Sequence, residues 1–157
     1  MPELPEVENV RLGLIELGSV GQCFAGVNLH RAGLRAKFPR GLAKRLSGQQ
    51  IHAIHRRAIY LLIETNNFYL LSHLGMTGSW RAQSGSGVQK HDHVVLHFES
   101  GLQLVFNDPR RFGLLDLLAK EKMHQSRWLK HLGVEPLDPE FSGEYLFKAS
   151  RGVKAPI

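Results

Sequence analysis

A chain of 157 residues with 43% hydrophobic side chains is long enough to bury one core, with an appendage at most. No apolar run approaches the ~18 residues that a membrane span requires, and the acidic opening is unlike a signal or transit peptide, so a soluble, intracellular protein is expected. The net charge of +6 disfavours cationic partners and points to anionic ones.

Val7, Val10, Leu14 and Leu17 recur at helical spacing, which predicts an amphipathic helix from Pro5 to Leu17, closed by Gly18. Short β-type runs follow at Gln22 to Leu29, Ile51 to His55, Ile59 to Glu64 and Phe68 to His73, then at Val94 to Phe98, Leu102 to Phe106 and Phe112 to Leu117. A short helix around Leu42 to Leu46 interrupts the series. Thr65-Asn66-Asn67 and Ser100-Gly101 read as tight turns between antiparallel neighbours. The expected fold is mainly β with flanking helices: a two-layered antiparallel β-sandwich or flattened barrel with an N-terminal α-helix, not a βαβ fold.

Gln83 to Gln89 is rich in Gly and Ser and reads as a mobile loop. Beyond Leu118 a short helix is expected at Ser126 to His131, and Leu137 to Ala149 carries Pro139, Phe141, Tyr145 and Leu146 at helix-like intervals. Arg151 to Ile157 resembles a linker. The expected division is therefore 1–135 for the β-sandwich domain and 136–157 for a linker with the start of a helical unit.

Cys23 is the lone cysteine and cannot form an internal disulfide; a small core residue is its expected role. With no CxxC pair, and with Asp92 and His93 lacking a third ligand at suitable spacing, no metal or other cofactor is expected in this chain. Asp92 and His93 read as a hydrogen-bonded structural pair.

The positive charge is unevenly placed. No Asp or Glu occurs between Leu17 and Ile63, where Arg31, Arg35, Lys37, Arg40, Lys44, Arg45, Arg56 and Arg57 all fall. A segment of one sign favours a polyanion through counterion release, so nucleic acid is the leading partner class, ahead of an acidic protein or a lipid surface.

The chemistry-bearing feature is the start, Met1-Pro2-Glu3-Leu4-Pro5-Glu6. Removal of one methionine would expose a proline secondary amine beside a carboxylate. An ordinary α-amine titrates near ~8, so such a nitrogen is a nucleophile near neutral pH without any side-chain base. Pro and Glu equally suit the first turn of a helix, and six residues leave both readings open.

Five further stretches accompany that opening. They are Arg56-Arg57-Ala58, His73-Leu74-Gly75-Met76-Thr77-Gly78, Lys90-His91-Asp92-His93-Val94, Asp108-Pro109-Arg110-Arg111-Phe112-Gly113 and Leu132-Gly133-Val134-Glu135-Pro136-Leu137. In this order and spacing, with MPELPEVE at the start, the chain resembles the bacterial formamidopyrimidine-DNA glycosylases. These are bifunctional DNA glycosylase/AP lyases that excise oxidised purines, 8-oxoguanine and formamidopyrimidines, in base-excision repair. The resemblance covers nearly the whole chain.

The resemblance implies that Pro2 attacks C1′ of the damaged nucleoside and that Glu3 is the acid assisting sugar ring opening. It makes Met76, Arg110 and Phe112 the residues inserted into DNA where the lesion is flipped out. Extrusion costs a few kcal/mol, which an apolar wedge and a cation can offset by refilling the stack. Arg111 is implied as a phosphate clamp, with Lys90 and His91 touching the backbone nearby. Glu6 is assigned a structural role in the first helical turn. Trp80, Trp128 and Tyr60 read as core or ledge residues. The partner implied is double-stranded DNA carrying oxidised purines or abasic sites, met by a monomer in the bacterial cytoplasm.

Two departures qualify this. The family commonly carries a lysine where Ile59 stands, and an isoleucine offers no proton and no charge to the reaction centre. The family also continues into a helical domain and a four-cysteine zinc finger, so its zinc would lie beyond Ile157, and Lys154 would fall in the linker leading there. The alternative expectation is accordingly a non-catalytic DNA-binding remnant. Met1, if retained, would lock the Pro2 nitrogen in an amide.

Overall fold

The computed structural model describes residues 1–153. Two four-stranded antiparallel sheets pack face to face and do not close into a barrel. The chain enters through helix α1 (Leu4–Glu16), which buries Val7 and Leu14. It ends where Gly18 adopts φ +75°, a left-handed conformation that favours glycine. Strand β1 (Phe24–Leu29) and the short helix α2 (Leu42–Leu46) follow. Next come β2 (Ala53–Arg57), β3 (Tyr60–Glu64), β4 (Phe68–His73), β5 (Ser79–Gln83), β6 (Asp92–Phe98), β7 (Gln103–Asn107) and β8 (Leu114–Ala119). One sheet runs β1-β6-β7-β5 and the other β2-β3-β4-β8.

Alternation explains the core. Val94, Leu96 and Phe98 of β6 meet Leu61 and Ile63 of β3 in one cluster between the sheets, with α1 closing it through Val7 and Leu14. The second sheet is apolar on both faces. Leu62, Leu71, Leu114 and Leu118 point away from the sandwich, and the segment after β8 covers them with Leu129. This is why β3 and β4 read as unbroken apolar runs. Trp80 of β5 packs on the core and donates its Nε1–H to Ser72 Oγ of β4 at 3.0 Å, a tie between the two sheets.

Thr65 closes the β3–β4 hairpin: its N–H donates to the Phe68 carbonyl at 2.8 Å. The structure corrects three expectations. β5 was not predicted, because on this edge strand only Trp80 carries a large apolar side chain. Ser126 to His131 forms hydrogen-bonded turns, not a helix, and the regular element there is a 3-10 helix upstream at Lys120–Gln125. Leu137 to Ala149 is helical only as α3 (Gly143–Ser150), which Ser142 caps by accepting the Tyr145 N–H at 3.1 Å, after Pro139 has passed. Lys154 and the rest of 154–157 lie outside the described residues.

Candidate functional site

The turn after β4 and the turn after β7 are fitted together as one unit. Gly75 has φ +66°, and a Cβ there would lie 2.4 Å from the Phe112 carbonyl carbon and 2.5 Å from the Gly113 nitrogen. Only glycine lets these two backbones touch. Beneath them Asp108 is fully buried. Its Oδ1 accepts from Thr77 Oγ at 2.6 Å and its Oδ2 from the Gly113 N–H at 2.7 Å. The Asp108 N–H donates to the His91 carbonyl at 3.0 Å, and the Asp108 carbonyl lies 2.8 Å from His93 Nε2. One residue thereby joins segments 74–78, 89–93 and 108–113.

That junction dictates where the side chains go. His91 and Arg111 are held at φ +73° and +60°, conformations that cost a non-glycine residue on the order of 1–2 kcal/mol and persist only when surroundings enforce them. Met76 and Phe112 are 43% and 46% exposed, so neither belongs to the core. Arg110 is exposed and its guanidinium carbon sits 4.9 Å from the Phe112 ring centroid. Lys90 and Arg111 are exposed and His91 is half-buried.

The chain start reaches the same place. A cleft of about 410 Å³ is lined by Met1, Arg35, His73, Gly75, Met76 and Phe112. His73 Nδ1 accepts the Gly75 N–H at 2.8 Å, which assigns the proton to Nε2. Burial, reinforced by the nearby Arg35 charge, holds its pKa below the ordinary histidine value, so the ring is neutral at pH 7. Arg35 arrives on the loop after β1, where its N–H donates to the Gly113 carbonyl at 3.1 Å. Arg35 and His73 had not been singled out from the sequence as site residues. The signals were present, one inside the basic segment and the other at the head of the His-Leu-Gly-Met-Thr-Gly stretch.

Other candidates are spoken for by the fold. Glu6 Oε2 accepts the Glu3 N–H at 3.1 Å at the start of α1, while the Glu3 side chain is exposed and Pro2 is half-buried. Asp92 accepts from Arg81 Nη2 at 2.7 Å, from the Gln89 N–H at 2.8 Å and from Asn107 Nδ2 at 2.8 Å. Among the described residues no group of three or more His, Cys, Asp or Glu is arranged to hold a metal ion.

Arg56 and Arg57 turn inward, contrary to a simple reading of the basic segment. Arg56 bonds Glu8 of α1 at 3.1 Å and Glu135 at 2.9 Å, and Arg57 bonds Glu135 at 2.6 Å. Glu135 also accepts the N–H of Ala58, which has φ +50°. Burial alone would raise the Glu135 pKa, but the Ala58 N–H, Arg57 and Arg56 outweigh it and hold the carboxyl below its ordinary value. Ile59, beside Ala58, packs against the main core.

Residues 1–115 match the family model described as the formamidopyrimidine-DNA glycosylase N-terminal domain. The chain is 47% identical over 158 residues to the formamidopyrimidine-DNA glycosylase of Stenotrophomonas maltophilia strain R551-3, covering all of this chain and 57% of that protein. It is 40% identical over 167 residues to the one from Ruegeria pomeroyi, covering 59% of it. Among solved structures, Lactococcus lactis formamidopyrimidine-DNA glycosylase bound to DNA containing an abasic site superposes with a TM-score of 0.83 at 34% identity, over 95% of this chain and 57% of that one. The same enzyme with FAPY-dG DNA gives 0.82 at 34% identity, over 94% and 56%. The chain thus spans less than two thirds of the length of these relatives.

Proposed function

Because this chain belongs to the formamidopyrimidine-DNA glycosylase family, we propose that it carries the catalytic half of a base-excision-repair DNA glycosylase/AP lyase acting on oxidised purines. The observation that carries the proposal is the cleft in which the chain start meets Met76 and Phe112. A lesion nucleotide turned out of the duplex beside these wedges would have its sugar delivered to the Pro2 nitrogen once Met1 is removed.

In this scheme the freed Pro2 nitrogen attacks C1′, the C1′–base bond breaks and the base leaves with the electron pair and a proton. Glu3 assists ring opening as the acid, yielding a Schiff base whose β- and δ-eliminations cut the strand on both sides of the sugar. Met76, Arg110 and Phe112 fill the vacated stack. Arg111 clamps a phosphate, and Lys90 and His91 contact the backbone on the adjoining segment. Arg35 brings a cation to the cleft wall, and Ile59 packs on the core.

The partner in this reading is double-stranded DNA with oxidised purines or abasic sites, met by a monomer in the bacterial cytoplasm, where the relatives' bacterial origin supports it. Residues 1–135 act as the catalytic domain and 136–157 as a linker with the start of a helical unit. The absence of any buried residue in α3 is consistent with that division.

Borohydride reduction of the Met1-processed chain with an 8-oxoguanine or abasic duplex tests the proposal. A covalent protein–DNA adduct that disappears when the N-terminal amine is acetylated is expected; no adduct from processed protein overturns it. The core packing of Ile59 favours the second reading, a DNA-binding remnant without chemistry. It predicts duplex binding with no trapping, even after Ile59→Lys.

A further inference from the structure

The outer face of the β2-β3-β4-β8 sheet carries a second cavity, of about 240 Å³, where the 120–132 segment crosses it. It shares no lining residue with the cleft at Met76 and Phe112. Its walls are apolar: Leu62 and Leu129 are buried, and Leu132 and Met123 are half-buried beside them. Its remaining lining residues are Arg57, His124 and Lys130, and no carboxylate lines it.

Arg57 is paired with Glu135, so the unpaired positive charge at this cavity lies at its rim. Glu8 pairs with Arg11 and Arg56, and Glu135 pairs with Arg56 and Arg57, so two carboxylates face three guanidinium groups. Lys130 and His124 form no ion pair among the described residues and are exposed at the rim. Across Arg57 lies a separate cavity lined by Glu135, Asp138 and Glu140, which repels anions. Arg57 therefore divides an acidic pocket from a cationic one. An isolated anion such as inorganic phosphate would leave the leucines wet, whereas a purely apolar ligand would leave the cations unused.

We propose that this cavity binds a small organic anion with an apolar body: a phosphate monoester or carboxylate on one aromatic ring or a short aliphatic chain. The volume lies just under the ~300–1,000 Å³ typical of drug-sized ligand pockets, which restricts the guest to about one ring and its anionic group. Met123, with its pliable thioether, adapts the wall to the guest.

The three methionines report on two different places: Met1 and Met76 line the cleft, and Met123 lines the proposed site. Titrating the full chain, labelled with ¹³C at the methionine methyls, with phenyl phosphate should give a saturable shift of Met123 while Met1 and Met76 stay still. Lys130→Glu and His124→Glu, both at exposed positions, should each weaken that titration by about two- to fivefold, by setting a carboxylate beside the guest's anionic group. The proposal is overturned if Met123 does not shift, if inorganic phosphate shifts it with the same midpoint, or if neither substitution moves the midpoint. A shift of Met76 alone would also overturn it, by assigning the phosphate to the DNA cleft. Since duplex DNA reads out at Met76, failure of the repair proposal leaves this result untouched.

Discussion

Beneath the turns that carry Met76 and Phe112 the Asp108 carboxylate accepts from a hydroxyl and a backbone N–H in a fully buried setting, whereas at the end of the β2–β3 hairpin Glu135 holds two guanidinium groups at a corner whose carboxylate is 17% exposed. Each carboxylate steadies a turn that contains a left-handed non-glycine residue, Arg111 in one case and Ala58 in the other. The buried junction fixes the side chains that line the cleft. The ionic corner fixes the scaffold, joining α1, the hairpin and the 132–136 segment. Where geometry must hold against a polyanion and its salt, bonds that salt does not screen are the suitable ones.

The largest expected effect tests the buried junction. Asp108→Ala strands the buried Gly113 N–H and removes the acceptor of the Thr77 hydroxyl, and should cost about 2–4 kcal/mol in urea melts, about one to three for the stranded N–H and about one for the lost hydroxyl bond. The cost should be the same at low and high salt. A salt-dependent loss would break the contrast with Glu135.

Glu135→Gln should cost less, about 1–2 kcal/mol, and that cost should shrink in about 0.5 M salt as the arginine pairing is screened. Its acid response has a defined sign. The folded carboxyl titrates below its ordinary value of 4.5, so its contribution is complete above that pH and disappears as pH falls through the depressed folded pKa. Part of the acid loss of the parent, measured by thermal melts from pH 6 downward, should therefore vanish in Glu135→Gln.

The smallest effect separates the two regions by pH. His73 titrates below its ordinary 6.5 in the fold, so the unfolded chain takes up the proton first and stability declines as pH falls below 6.5. His73→Gln should flatten this shallow step while leaving the carboxylate-range step intact. A parent melting curve already flat between pH 7 and 5 would count against a neutral, buried His73.

Much of this was legible from the chain because the decisive signals are local. Phe68 to His73 was bounded correctly by its flanking turn and apolar run, and Leu42 to Leu46 by helical spacing. What stayed hidden depends on partners distant in sequence. Arg56 and Arg57 looked like part of a polyanion-binding run, because nothing local shows that Glu8 and Glu135 claim them. The 126–131 segment looked helical because Leu129 and Trp128 are apolar, yet Leu129 serves as a cover for the outer face of the second sheet. Trp80 alone was too sparse a pattern to announce β5.

Met1 lines the very recess its removal would open, besides holding the Pro2 nitrogen in an amide. In the proposed scheme an untrimmed chain is latent twice over, its nucleophile masked and its doorway occupied. A single aminopeptidase cut would arm both at once, making maturation of the first residue the step that decides whether this surface can react at all.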